Sequence, residues 1–325
     1  MRVLVTGGAG FIGSHIIERL IALGYSVTAL DNLSSGRTEN IHPSADFIQA
    51  DITEPHLPRA LLARKFDVIV HQAAQVSVLR SVDDPLFDAQ VNLVGTARLL
   101  EYARHSGVKR FVFASSAAVY GNLNLPPIAE DAPTNPLSPY AMSKLAAEQH
   151  LRQFSQTDEI QIVILRYANV YGPRQSAHGE AGVICAFMHQ MLDGEPLLIH
   201  GDGRQTRDFV YVDDVVAANV LALKPDAPPG VYNVGTGRPT SILELHQTLI
   251  GPELSPRYAP SRPGDVLHST LDNTAIQSAL GWAPIVSLAE GLARTWRYFF
   301  RSNGSTSAAT PVLTAPLKAA SPGRL

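Results

Sequence analysis

Apolar residues are spaced along this chain in two alternating rhythms. Short, nearly continuous apolar runs occur at 3–5, 26–30, 47–50, 67–71, 109–114 and 160–167. Between several of them the spacing lengthens to a helical period. It runs through Ile16, Ile17, Leu20 and Leu23, then through 86–105, then through Ala141, Leu145, Ala146, Ala147, Leu151 and Phe154. The short runs predict buried strands and the longer period predicts amphipathic helices. Strands alternating with helices in this way predict parallel βαβ units, hence an α/β fold with a doubly wound parallel sheet. Ligands of such sheets bind beyond the carboxyl ends of the strands. After residue 168 the character changes: loops lengthen, elements shorten, and Gly, Pro and Arg gather. The chain therefore divides into a sheet domain over 1–168 and a smaller mixed α/β lobe over 169–301, interleaved with the first. The lobe's expected segments are 179–192, 197–212, 231–237 and 262–265, with helices over 213–223, 242–249, 274–280 and 288–300. Residues 302–325 are rich in Ser, Ala, Thr and Pro and hold few large apolar side chains. Such a composition buries too little to offset ordering entropy, which predicts a flexible tail.

The first strand runs directly into Gly7-Gly8-Ala9-Gly10-Phe11-Ile12-Gly13 and then into a helix. Gly8, Gly10 and Gly13 have the G-x-G-x-x-G spacing of a dinucleotide-binding, Rossmann-type turn, and Gly7, Gly10 and Gly13 also give G-x-x-G-x-x-G. Glycine there permits a sharp turn, backbone approach to a pyrophosphate, and close packing of helix on strand. The free N–H groups at the helix start, around Phe11 and Ile12, attract phosphate together with the helix dipole. Asp31 ends the second strand, eighteen positions after Gly13, where a carboxylate binds ribose hydroxyls. A carboxylate there repels a 2′-phosphate, so the expected cofactor is NAD rather than NADP. Arg37 is the one nearby cation that would argue otherwise. Asn32, Ser34 and Gly36 form a polar loop of the kind that borders an adenosine site, and Asp51 and Ile52 follow the third strand toward the adenine. The fourth strand exits through Ala73, Ala74 and Gln75, small enough at its start for backbone to lie against a dinucleotide.

Composition narrows the rest. At 325 residues, with 45% hydrophobic and 17% charged residues, the chain suits two packed lobes of a soluble protein. A net charge of −3 gives no reason to expect nucleic acid or an anionic membrane as partner. The single Cys185 excludes an internal disulfide and a multi-cysteine zinc site, as a reducing cytoplasm would favour. No apolar run reaches the length of a membrane span, and the glycine turn interrupts any signal-peptide pattern. The histidines have no ligand spacing, so no metal is expected, and His71 reads as a satisfied core residue.

Further chemistry gathers at Ser115-Ser116, after the fifth strand, and at Ser138-Pro139-Tyr140-Ala141-Met142-Ser143-Lys144. Serine followed by proline is a helix start, so Tyr140 and Lys144 lie one turn apart on one helix face. With Ser-Ser-Ala-Ala-Val-Tyr-Gly (115–121), Leu-Arg-Tyr-Ala-Asn-Val-Tyr-Gly-Pro-Arg-Gln (165–175), Arg-Asp-Phe-Val-Tyr-Val-Asp-Asp (207–214) and Arg-Pro-Gly-Asp (262–265), the chain resembles an extended short-chain dehydrogenase/reductase over residues 1–300. Within that family it resembles the nucleotide-sugar 4-epimerases. The resemblance implies Tyr140 as the base, Lys144 as its cationic partner and a ribose ligand, and Ser116 as a hydrogen-bond partner of the oxidised sugar hydroxyl. The physics agrees, because a phenol with a pKa near 10 needs an adjacent positive charge to act near neutrality. The resemblance further groups Ser115, Asn92, Tyr140, Lys144 and Tyr167 around the cofactor, although Asn92, inside a helix before Gly95 and Thr96, also reads as structural. It assigns Asn169, Arg207 and Arg262 to the substrate, the arginines to its diphosphate, with Asp265 ordering the arginine loop. It also implies a homodimer built on helices near 86–105 and 138–154.

Two departures from the family choose among its members. Ala117 and Ala118 stand where dehydratases and decarboxylases carry acids, which favours plain epimerisation. Ser269 stands where a bulky tyrosine restricts relatives to glucose and galactose, so an N-acetyl group is expected to fit. The expected reaction is 4-epimerisation of UDP-glucose and UDP-galactose, and of UDP-GlcNAc and UDP-GalNAc, through a 4-keto sugar. A uronate epimerase or decarboxylase, or a catalytically silent NAD-binding protein, are the alternatives.

Overall fold

A computed structural model describes residues 1–123, 127–157, 160–176, 182–261 and 266–302. Arg262, Asp265 and the tail at 303–325 lie outside the described residues. The strands, in chain order, are β1 (Arg2–Thr6), β2 (Ser26–Asp31), β3 (Asp46–Gln49), β4 (Val68–His71), β5 (Arg110–Ser116), β6 (Gln161–Tyr167), β7 (Asn169–Tyr171), β8 (Leu198–His200), β9 (Thr206–Tyr211), β10 (Gly230–Val234), β11 (Pro239–Ser241), β12 (Arg257–Ala259) and β13 (His268–Ser269). The helices are α1 (Phe11–Ala22), α2 (Arg59–Leu62), α3 (Val78–Asp83), α4 (Pro85–Ala89), α5 (Thr96–Ser106), α6 (Pro139–Thr157), α7 (Val183–Leu192), α8 (Val212–Ala222), α9 (Ile242–Ile250), α10 (Thr274–Leu280) and α11 (Leu288–Ser302).

Seven strands form one parallel sheet in the order β10-β6-β5-β4-β1-β2-β3, as the alternation of strands and helices predicts. Their apolar runs face two cores. One gathers Val3, Val5, Ile16, Ile17, Leu20 and Val70 with side chains of α7, α8 and α11. The other gathers Leu4, Ile69, Leu99, Phe111, Phe113 and Leu151. Burial on both faces explains why these strands are continuously apolar rather than alternating.

Two expectations change. The run at 231–237, expected in the second lobe, supplies β10, which pairs with β6 at the edge of the first sheet. The apolar surface of β6 accepts it across more than sixty residues of intervening chain, a pairing with no local signature. The helix expected over 86–105 is a series: α4, opened by an Asp84 cap, then a π-helical turn (Gln90–Gly95), then α5 ended by left-handed Gly107, with the short α3 just before it. The remaining strands of the second lobe form a small mixed sheet, with β9 flanked by β7, β11 and β13, beside a β8–β12 pair.

A buried ion pair joins sheet, helix and lobe. Glu148 of α6 receives Nε and Nη2 of Arg166 on β6, and both side chains are almost wholly buried. Ser115 donates to Glu148 through a short hydrogen bond. Arg166 also donates to the Tyr120 hydroxyl at 2.8 Å and to the Glu130 carbonyl at 3.1 Å. Tyr120 in turn meets Asn233 of β10 at 2.8 Å. Removing one partner of such a pair leaves the other charge buried and uncompensated. Glu148→Gln should therefore lower unfolding free energy by about 3–5 kcal/mol, read by chemical denaturation; a change within experimental error would contradict the role given to the pair.

Candidate active site

The glycine turn is set by close contacts. Gly7 has φ +66°, and a Cβ there would lie 2.7 Å from the Ala73 nitrogen. A Cβ on Gly13 would lie 2.1 Å from the Gly7 carbonyl oxygen, which is overlap rather than contact. Gly10 is the N-cap of α1, and no side chain caps the N–H groups that follow at Phe11 and Ile12. The helix start thus offers a phosphate bare donors on backbone that nothing heavier than glycine could bring so close.

Asp31 lies at the end of β2 with its carboxylate fixed at both oxygens. Oδ2 accepts from the Ala9 N–H at 3.0 Å and Oδ1 from the Leu33 N–H at 2.8 Å. Each oxygen keeps a lone pair for a ribose hydroxyl. Gly36 presses on this carboxylate, since a Cβ there would stand 2.8 Å from Oδ1. Asn32 reaches Asp51 at 2.8 Å and also accepts from the Ser34 N–H, tying the loop after β2 to that after β3. Burial works to raise the Asp51 pKa, but hydrogen bonds from Thr53 and Asn32 outweigh it and hold the pKa below the usual value. Ile52 is buried against Gly95. These residues fit an adenosine dinucleotide: bare helix donors, a ribose-facing carboxylate and an apolar floor.

Tyr140 and Lys144 occupy the first two turns of α6. The helix begins as expected, with the Ser138 hydroxyl accepting from the Ala141 N–H at 3.2 Å and Pro139 in the first turn. Lys144 is 3% exposed. It donates to the Ala114 carbonyl of β5 at 2.9 Å and sits 5.0 Å from the centre of the Phe113 ring. Desolvation pulls its pKa down to about 8, against the opposing charges of Asp88 and Glu148. Ser116 ends β5 two residues beyond Ala114 and accepts from the Ala118 N–H, opening a short 3-10 turn through Ala117 and Ala118. The parallel β5–β6 register sets Ser116 beside Tyr167.

Several residues expected around the cofactor spend their side chains inside the protein. The Gln75 amide donates to Ser77 and to Asp88, while its backbone N–H and carbonyl are both held by Asn92 at 2.9 Å. Asn92 is buried in the π-helical turn and acts as a strut. Ser115 is taken by Glu148, and the Tyr167 hydroxyl bonds Asn219 and Gln72, with burial pushing its pKa up to about 12. The Ala73 N–H donates to Thr6 Oγ1 at 3.2 Å, so Ala74 is the member of that exit with no such tie among the described hydrogen bonds. His71 bridges Thr6 and Thr96 at 2.6 and 2.9 Å, and burial lowers its pKa to about 3. It is neutral and structural.

On the lobe side, the small sheet brings Arg207, Asn169 and Ser269 together. Arg207 on β9 is register partner to Ser269 on β13, and Asn169 on β7 pairs two residues further along β9. Asn169 is exposed, and Arg207 and Ser269 are half-buried. Asp88, which no sequence pattern singled out, emerges as a fully buried carboxylate behind the tyrosine–lysine pair. Its signal was an acid within the apolar surroundings of Pro85-Leu86-Phe87-Asp88-Ala89.

Comparison with known proteins follows this geometry. Residues 3–235 match the model of the NAD dependent epimerase/dehydratase family. The chain is 49% identical over 308 residues to the UDP-glucose 4-epimerase of Mycolicibacterium smegmatis, covering 92% of this chain and 98% of that protein. The crystal structure of UDP-glucose 4-epimerase from Thermotoga maritima with UDP-glucose superposes with a TM-score of 0.89 at 43% identity, covering 93% of this chain and all of that one. UDP-N-acetylglucosamine 4-epimerase from Methanobrevibacter ruminantium, in complex with UDP-N-acetylmuramic acid, superposes at 0.86 and 36% identity, covering 93% and 98%. The glycine turn, the tyrosine–lysine helix and the seven-stranded parallel sheet are those of an extended short-chain dehydrogenase/reductase, and this chain belongs to the NAD-dependent epimerase/dehydratase family.

Proposed function

We propose that this chain is a UDP-hexose 4-epimerase that interconverts UDP-glucose and UDP-galactose and also accepts the 2-acetamido sugars. The observation that carries this is the buried Lys144 ammonium one helical turn from Tyr140, against the end of β5 where Ser116 stands. NAD, when bound, supplies a hydride acceptor and donor for carbon 4 of the sugar, with no net redox change. Gly7, Gly10 and Gly13 admit its pyrophosphate to the α1 N-terminus, and Asp31 holds its adenosine ribose. Lys144 biases Tyr140 toward phenolate, because a cation held in a dry site stabilises the anion strongly. Tyr140 then takes the proton from the 4-hydroxyl, which Ser116 orients, and returns it to the 4-keto sugar after that sugar has presented its other face. Arg207, with Arg262 from outside the described residues, pairs with the diphosphate, since a guanidinium fork suits phosphate oxygens. In this reading residues 1–168 bind mainly the dinucleotide and 169–301 mainly the nucleotide sugar.

Ala117 and Ala118 in the turn after Ser116 place no acid where elimination or decarboxylation would need one. The relative that acts on UDP-N-acetylglucosamine supports the wider sugar range. The lone Cys185 is buried, with its pKa pushed up to about 11, as suits an unreactive thiol in a reducing cytoplasm. Among the described residues no helix is long and apolar enough to cross a membrane.

Leu79, Val82, Leu86 and Met142 are exposed large apolar residues on α3, α4 and α6, three helices that pack on one another. Leu86 is 78% exposed. A second copy of the chain is the occupant we propose for this face, giving a homodimer.

Three results are expected. Tyr140→Phe should lower turnover of UDP-galactose at least about a hundredfold, the low end of general-base losses, while NAD binding measured by fluorescence is retained; near-normal turnover would remove the proposed base. Ser269→Tyr should abolish conversion of UDP-GlcNAc and leave UDP-glucose conversion within severalfold, read by mass spectrometry and chromatography of products. Leu86→Arg should halve the solution mass seen by light scattering, and an unchanged mass would rule out this face.

A further inference from the structure

Asp88 has no part in the reaction scheme above, yet it is wholly buried behind the tyrosine–lysine pair. Its Oδ1 accepts from Gln75 Nε2 at 2.8 Å and lies 3.0 Å from Asn92 Nδ2. Its Oδ2 is buried with no hydrogen-bond partner, one of only a few such atoms among the described residues. It forms no ion pair among those residues. Asn92 Nδ2 also lies 3.2 Å from Ser143 Oγ, and Ser143 donates to the Tyr140 carbonyl at 3.0 Å. One chain of contacts thus runs from the carboxylate to the backbone that carries both Tyr140 and Lys144.

The charges that face the Lys144 ammonium are few. Glu148, from its own helix, is saturated by Arg166 of β6 and by Ser115, so its negative charge is already matched. His71 of β4 is neutral, and Tyr140 lies one turn earlier on α6. Asp88 of α4 is the remaining anion, and its charge acts on Lys144 in the direction that favours the protonated amine. An unpaired carboxylate in a dry interior is costly, and a buried ammonium is costly too. In low dielectric opposite charges reduce each other's penalty.

We infer that Asp88 is a positioning residue for the Tyr140–Lys144 pair: its carboxylate braces the strand-exit loop and π-helical turn against α6 and supplies the charge that keeps Lys144 protonated. This rests on the reading of Tyr140 as base and Lys144 as its cationic partner. Lys144 stays an ammonium in water-free surroundings only while a compensating anion is near. Tyr140 becomes phenolate only while Lys144 is an ammonium. Losing the Asp88 charge therefore lowers the pH at which Lys144 gives up its proton, and with it the charge that favours the phenolate.

Asp88→Asn tests this, because it keeps the Oδ1 acceptor used by Gln75 and Asn92 and removes the charge. The alkaline fall in kcat should move down by roughly one pH unit, the low end of what a nearby opposite charge does. Asp88→Glu should restore the profile. The near-ultraviolet phenolate absorbance, taken as the difference from Tyr140→Phe, should also rise less at neutral to mildly alkaline pH in Asp88→Asn than in the wild type. That titration needs no substrate, so it reads Asp88 even if the sugar reaction is wrong; absent epimerisation with a displaced phenolate signal would fault the reaction and not this inference. A lower kcat with unmoved pH profile and phenolate signal would reduce Asp88 to a packing residue and overturn the proposal. Should the variant fail to fold, carbon NMR of the wild-type Asp88 carboxyl decides, since a group that is protonated across the active pH range cannot supply the charge.

Discussion

A lysine ammonium almost excluded from water is the constraint around which the rest of this molecule is arranged. Burial penalises that charge heavily, and its pKa falls to about 8 despite two carboxylates that oppose the shift. The fold answers with a carbonyl from β5, an aromatic face from Phe113, and anions on two helices. Each of these partners lies on a rigid element, so the amine cannot relax toward solvent. In the proposed reaction a phenolate base gains from this arrangement, because the same low dielectric that makes the ammonium expensive makes its pull on the phenol strong.

The polar layer beneath the site divides the labour by charge. Glu148 and Arg166 neutralise one another and tie β5, β6 and α6 to the Tyr120–Asn233 contact with β10. That pair is structural because it is closed: nearly every donor and acceptor has a partner. Asp88 is open on one oxygen, and its charge favours the protonated amine. Two buried carboxylates four residues from Lys144 in one case, and on the neighbouring helix in the other, therefore have different consequences. The difference is set by whether a cation other than Lys144 is at hand.

Much of the fold was legible in sequence because it is written in local patterns. The strand runs, the glycine turn, Asp31 and the Ser138-Pro139 helix start each carry their signal within a few residues, and their elements form as expected. The second lobe's helices at 274–280 and 288 onward are equally local. What sequence left hidden are the pairings across distance. β10 joins the first sheet because β6 offers an apolar edge, and nothing within 230–234 announces its partner. The π-helical turn interrupts an apparently uniform helical period, and within it Asn92 bonds the backbone of Gln75. Gln75, Ser115 and Tyr167 have the composition of site residues, and their side chains bond within the scaffold. A polar side chain at a strand end looks the same in sequence whether it meets a ligand or a neighbour.

The glycine turn and the lysine site are coupled through this scaffold. Gly7 is pressed against the backbone of Ala73, and two residues later Gln75 is gripped by Asn92 and Asp88. The β4 exit therefore has the glycine turn on one side and Asn92 and Asp88 on the other. In the proposed reaction, dinucleotide binding and the register of the phenol and the amine then share one short segment whose polar groups are already bonded. That accounts for the inward-facing Gln75: a residue offered to ligand would have left the segment free to move, and a shift of an ångström at the reacting atoms is enough to cost much of the rate.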